Sequence, residues 1–184
     1  RFGVRRAVSL GKLAADAVEP ALGRITTTTD LARACDGVGL VVEAVPEDLA
    51  LKVRIFRQLD ALAPPRAILA SNTSGFPIAP LAEATDRPSR VIGWHWASPA
   101  PVRRLAEIAV HKGTAHDVRD AVVAVAVACG KNPQVIQDTG FAWGFVANRI
   151  MRATRREAER VVAEGIATPE QVDALLKDCF RWPV

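Results

Sequence analysis

Hydroxyls, one histidine and a carboxylate fall at or just past the ends of short apolar runs between Ser71 and Glu107. In order these are Ser71-Asn72-Thr73-Ser74, then Val91-Ile92-Gly93-Trp94-His95-Trp96-Ala97-Ser98-Pro99, then Arg104-Leu105-Ala106-Glu107. A histidine backed by a carboxylate is suited to moving a proton near neutral pH. Taken alone, His95 between two tryptophans reads as a partly buried structural residue. Glu107 changes that reading, because a carboxylate at the end of an adjacent strand would hold the ring and stabilise its charged form. Asn72-Thr73-Ser74 matches a glycosylation sequon, but small polar groups in a strand-end loop are better read as hydrogen-bonding to a ligand. His111 and His116 have no ligand spacing and are expected at the surface, and no metal site is expected.

These residues need a scaffold, and the pattern around them supplies one. Gly39 to Val45, Ala67 to Ala70, Val91 to Trp94, Leu105 to Val110 and Asn132 to Gln137 read as strands, expected to be buried and parallel. Ligands collect outside the carboxyl ends of such strands. Glu47 and Asp48 open a helix in which Leu49, Val53, Phe56, Leu59 and Leu62 recur at three- and four-residue spacing, until Pro64-Pro65 stops it. Val4 to Val18 reads as one helix ending before Pro20, Thr29-Asp30 caps a short helix through Cys35, and His116 to Cys129 reads as a helix ending at Gly130. After Asp138 the strands disappear. Phe145 to Glu164 is one long helix, and Thr168-Pro169-Glu170-Gln171 carries the capping signals of another, running to about Cys179. The expected organisation is an α/β part, 1–138, and an all-α part, 139–184.

The 184-residue chain is 49% hydrophobic and 24% charged, ordinary for a globular protein. No apolar run approaches the roughly 18 residues that cross a bilayer, so no membrane is expected as a partner. The formal net charge is only +4. Arg149, Arg152, Arg155, Arg156 and Arg160 lie among Glu157 and Glu159 as a solvated or pairing helix face. Basic and aromatic residues do not interleave as nucleic-acid binding requires. Cys35, Cys129 and Cys179 are far apart and odd in number, and read as reduced core thiols of a cytoplasmic protein. Gly37-Val38-Gly39 reads as a turn, because it lacks a third glycine and precedes a strand. The chain starts at Arg1 rather than Met. A piece of a longer protein is therefore expected, with any phosphate-binding glycine loop before Arg1.

From about Ile25 onward the chain resembles the 3-hydroxyacyl-CoA dehydrogenase family. Val41-Val42-Glu43-Ala44-Val45-Pro46-Glu47-Asp48-Leu49 is similar to its strand-to-helix signature, and Ser71-Asn72-Thr73-Ser74 to its serine loop. Gly93-x-His95-x-x-x-Pro99-x-Pro101 with Glu107 is similar to its catalytic segment. Gly144-Phe145-Val146-Ala147-Asn148-Arg149 is similar to the opening of its helical domain. The resemblance implies a Rossmann-like doubly wound, mostly parallel sheet without its first strand, followed by the start of a helical domain. It implies oxidation of a 3-hydroxyacyl-CoA to the 3-oxoacyl-CoA with NAD as cofactor, as in fatty-acid β-oxidation.

Carried over residue by residue, the resemblance makes His95 the base and Glu107 its partner. Ser74, Ser98 and Asn148 would bind substrate, and Glu47, Lys52 and Asn72 would lie along NAD. It also implies a homodimer in the complete protein, and apolar helix faces left exposed if the chain stops at Val184. Ser98 stands where the family commonly has asparagine, and the link from Asp138 to Gly144 is a few residues longer than usual. Arg103 stands where an apolar residue is common; near the site it would pair with a carboxylate. Two rivals follow: a related dehydrogenase of a free hydroxy acid, or a non-catalytic binding or assembly domain of the same fold.

Overall fold

Strand-forming and helix-forming runs alternate from Leu40 to Gln137, and a computed structural model, which describes residues 2–11, 13–138, 140 and 143–181, gathers the strands into one sheet. The strands are β1 (Leu40–Glu43), β2 (Ile68–Ser71), β3 (Val91–Trp96), β4 (Leu105–Val110) and β5 (Asn132–Gln137), in that spatial order. β1–β2, β2–β3 and β4–β5 are parallel. β3 and β4 are antiparallel, so the sheet is mostly parallel, as expected, with its exception at this pair. The physical reason is the connection: eight residues separate Trp96 from Leu105, too few for the crossover that a parallel pair requires.

The helices are α1 (Phe2–Ser9), α2 (Val18–Gly23), α3 (Leu31–Cys35), α4 (Leu49–Leu62), α5 (Ala79–Glu83), α6 (His116–Ala128), α7 (Val146–Ala163) and α8 (Pro169–Phe180). The single helix expected over Val4 to Val18 is instead two helices joined by a short 3-10 turn. Gly11 takes φ +65 just after α1, and Pro20 is accommodated in the first turn of α2. α5 carried no sequence signal long enough to be read.

One face of the sheet packs on α6. There Ile68, Ala70, Ile92, Trp94, Ala106, Ile108, Val110, Val118, Val122 and Ala126 form a continuous buried cluster. α4 starts where Asp48 accepts the Leu51 N–H at 2.9 Å, and it buries Lys52, Phe56 and Leu59. Its far end is held by Arg87, which bonds Asp60 Oδ1 at 2.6 Å, the Asp60 carbonyl at 2.5 Å and the Pro64 carbonyl. A guanidinium thus satisfies carbonyls that a helix end leaves without partners.

The chain divides into two compact units, Arg1–Ala142 and Trp143–Val184. Thr139, Phe141 and Ala142, in the unusually long link, lie outside the described residues. In the second unit Thr168 and Gln171 close a reciprocal capping box on α8. Arg152 lies over the Trp143 ring at 5.4 Å, and Arg160 pairs with Glu164 at 2.9 Å. Ile150, Met151, Ile166, Leu175 and Phe180 are exposed there. Among the described residues no helix is long and apolar enough to cross a membrane. Cys35 is buried, but Cys129 and Cys179 are exposed, so only one cysteine is a core thiol.

Candidate active site

Antiparallel pairing of β3 and β4 puts His95 directly opposite Glu107. A sequence separation of 12 therefore becomes a contact, His95 Nδ1 to Glu107 Oε2 at 2.8 Å. Glu107 is the third residue of β4 rather than a strand-end carboxylate, and only 3% exposed; His95 is 6% exposed. An ionised carboxylate only accepts, so Nδ1 carries the proton in this bond and Nε2 is the ring's basic nitrogen. Gly93, on the same face, has no room for a side chain. A Cβ there would meet Ile78 Cδ1 at 2.8 Å and Ala109 Cβ at 2.9 Å.

A second polar cluster lies at the carboxyl ends of β1 and β2. Glu43 is 4% exposed and accepts from Lys52 Nζ at 2.8 Å, the Val45 N–H at 2.6 Å and Ser71 Oγ at 2.7 Å. The Lys52 ammonium also donates to the Val45 carbonyl at 3.1 Å and pairs with Glu47 Oε2 at 3.2 Å. Three partners match its three N–H groups. Glu47 in turn receives the Thr73 hydroxyl and the Ser74 N–H, the latter at 2.8 Å. Asn72 Oδ1 accepts the Trp96 N–H at 3.1 Å, tying the serine loop to the residue after His95. Asp138 Oδ2 accepts from the N–H groups of Ile78 and Ala79 at 2.8 and 3.0 Å, fixing the start of α5 beyond that loop.

Most of the sequence-derived residues therefore converge. Glu47, Lys52 and Ser74 form one connected set, Asn72 joins it to β3, and His95 contacts Glu107. Ser98 lies on the exposed loop after β3. Asn148 is near the start of α7, in the second unit. Glu43, Thr73 and Asp138 were missed as organisers of the site. The signal for Glu43 was present: a strand-end carboxylate nine residues before a lysine in the first turns of a helix.

Three further observations concern residues outside this set. Arg103 lines a cavity with Trp94 and Trp96, whose side chains face away from His95. His111 is only partly exposed; its Nε2 donates to the Pro88 carbonyl at 2.9 Å while Nδ1 accepts from Gly113 at 3.1 Å. Before Ile25 the sequence had offered no site residue, yet an apolar cavity of about 290 Å³ is lined by Arg6, Ala7 and Leu10 together with Pro99, Pro101 and Val102. Among the described residues no cluster of His, Cys, Asp or Glu is arranged to hold a metal ion.

Residues 2–139 match the family described as 3-hydroxyacyl-CoA dehydrogenase, NAD binding domain, and residues 144–184 match 3-hydroxyacyl-CoA dehydrogenase, C-terminal domain. A probable 3-hydroxybutyryl-CoA dehydrogenase of Deinococcus radiodurans is 41% identical over 181 residues, covering 96% of this chain and 64% of that protein. The human mitochondrial hydroxyacyl-coenzyme A dehydrogenase is 36% identical over 167 residues, covering 91% of this chain and 52% of its own length. The solved (S)-3-hydroxybutyryl-CoA dehydrogenase of Ralstonia eutropha superimposes with a TM-score of 0.91 at 34% identity, covering 99% of this chain and 63% of that one. The chain thus spans between half and two thirds of these three relatives.

Proposed function

The chain belongs to the 3-hydroxyacyl-CoA dehydrogenase family, and on that footing we propose that the protein it forms part of oxidises a 3-hydroxyacyl-CoA to the 3-oxoacyl-CoA with NAD. The observation that carries this reading is the buried contact between His95 Nδ1 and Glu107, 2.8 Å long. Nδ1 is committed to the carboxylate, so Nε2 takes the proton of the 3-hydroxyl. Glu107 holds the ring in that tautomer and stabilises the imidazolium that results. NAD, when bound, supplies the acceptor for the hydride leaving C3.

Glu47 and Asn72 suit hydrogen bonds to that cofactor. Glu47 is 34% exposed in the loop between β1 and α4, while Lys52, at 1%, contributes by holding Glu47 rather than by direct contact. Ser74 and Ser98 are proposed to bind substrate oxygens, joined by Asn148 from the second unit. The apolar cavity beside Pro99 and Pro101, with Arg6 on its wall, suits part of an acyl-CoA chain. Residues 1–138 are assigned to the NAD-binding part and 139–184 to the helical part. Exposed apolar residues on the helical unit support a homodimer, and free cysteines support a reducing, cytoplasmic setting. Arg103 lines the cavity that holds Trp94 and Trp96, which does not support a free-acid substrate at His95.

In the full-length protein, His95→Gln is expected to lower kcat for acetoacetyl-CoA reduction by about 10²- to 10⁴-fold. NADH affinity, measured by fluorescence, should change little. A variant turning over at nearly the normal rate would make His95 a structural residue.

A further inference from the structure

A cavity of about 620 Å³ opens on the side of β3 opposite His95. Successive strand residues point to opposite faces, so Trp94 and Trp96 share the α6 face with Ala106 and Ile108. The cavity is lined by these two indoles and by Arg103, Arg104, Cys129 and Lys131, with no carboxylate in its wall. Among the described residues neither Arg103 nor Arg104 makes an ion pair. Lys131 donates to the carbonyls of Ala100 and Arg103, which pins the loop and brings a third positive charge to the wall.

The nearby end of α6 does not explain these charges. Its late carbonyls already have partners: Val125 from the Cys129 N–H at 2.9 Å, Ala126 from Lys131 at 3.0 Å and Val127 from Gly130 at 2.8 Å. One more group is unsatisfied. The Trp94 indole N–H is buried without an acceptor and closed to solvent, so Trp94 backs the cavity wall and the half-buried Trp96 is the more accessible indole.

We propose that this cavity binds a small planar aromatic anion, a carboxylate or phosphate carried on a fused ring. Arg103 and Arg104 meet the charge through guanidinium hydrogen bonds, and the half-buried Trp96 indole, backed by Trp94, meets the ring by aromatic packing. The proposal does not depend on the dehydrogenase reading, although the cavity shares Pro101 and Val102 with the apolar one described above.

The test is calorimetric titration of the full-length protein with 2-naphthoate, 2-naphthyl phosphate and uncharged 2-acetylnaphthalene. At least one anion is expected to bind at one site per chain, and the preferred one identifies the head group. The uncharged analogue and the Arg103→Ser/Arg104→Ser variant should each bind the site at least about tenfold more weakly. Both substitutions are at exposed positions, and the variant's acetoacetyl-CoA reduction and melting temperature serve as controls for its fold. A saturating anion should also slow alkylation of Cys129, even with acetoacetyl-CoA present. The proposal is overturned if neither anion binds, if the variant binds as well as the parent, or if acetoacetyl-CoA displaces the anion.

Discussion

The Lys52–Glu43 pair and the His95–Glu107 pair are both buried and both 2.8 Å long, the first joining α4 to β1 and the second joining β3 to β4. They differ in the chemistry of the group that faces the carboxylate. Lys52 has three donors and three acceptors around it, so the pair is closed and serves to hold Glu47 and, through it, the Ser74 loop. His95 commits one nitrogen to Glu107, and that bond decides where the basic lone pair lies. Burial with a partner therefore builds a support in one case and proton-transfer equipment in the other. The residue type makes the difference: an ammonium can only donate, whereas an imidazole can hold its proton on either nitrogen.

The comparison is most easily broken at Lys52. Lys52→Met leaves Glu43 buried without its counter-charge, and removing one partner of a buried pair typically costs about 3–5 kcal/mol. Urea denaturation should show a loss of that size. Glu43→Gln combined with Lys52→Met should recover most of it, because no uncompensated charge is left inside. A single variant that unfolds at the parental midpoint would show that this pair is not the support described.

At Glu107 the effect should appear in catalysis. Glu107→Gln keeps the shape but removes the charge that stabilises the imidazolium, and turnover in the full-length enzyme should fall about 10²-fold, at the low end of general-base effects. The melting temperature should change far less than for Lys52→Met. Equal turnover for variant and parent would leave Glu107 as packing, although its burial already excludes a merely solvated carboxylate.

Much of the scaffold was legible because its signals are local. The capping residues Asp48 and Thr168, the stop at Pro64 and the limits of β4 and β5 all follow from neighbours a few residues away. The motif residues His95 and Glu107 were legible too, but the reason they meet was not. Antiparallel pairing depends on the length of the loop between Trp96 and Leu105, which the alternating pattern obscured. The Glu43–Ser71 bond spans 28 residues and the Asp138–Ile78 bond 60, so no periodicity reports them. Arg87 illustrates the same limit: it reads as a surface charge until the end of α4 is placed beside it.

A third buried titratable site completes the comparison, a single group with no ionic partner among the described residues to offset burial. Cys35, at the end of α3, is 1% exposed, and burial pushes its thiol pKa above the usual range because the thiolate would be desolvated. The folded chain therefore holds this proton at a pH where the unfolded chain has begun to release it. The resulting stability is fully present below the ordinary thiol range and is lost as pH rises through and above it. The effect should be the smallest of the set: a modest fall in the urea midpoint between neutral and alkaline pH that Cys35→Ala reduces. In the native protein iodoacetamide should modify the exposed Cys129 and Cys179 first, and Cys35 only on unfolding. If Cys35 is alkylated as fast as the other two, or if its replacement leaves the pH dependence unchanged, burial alone does not hold that proton, and the contrast with the two paired sites loses its third member.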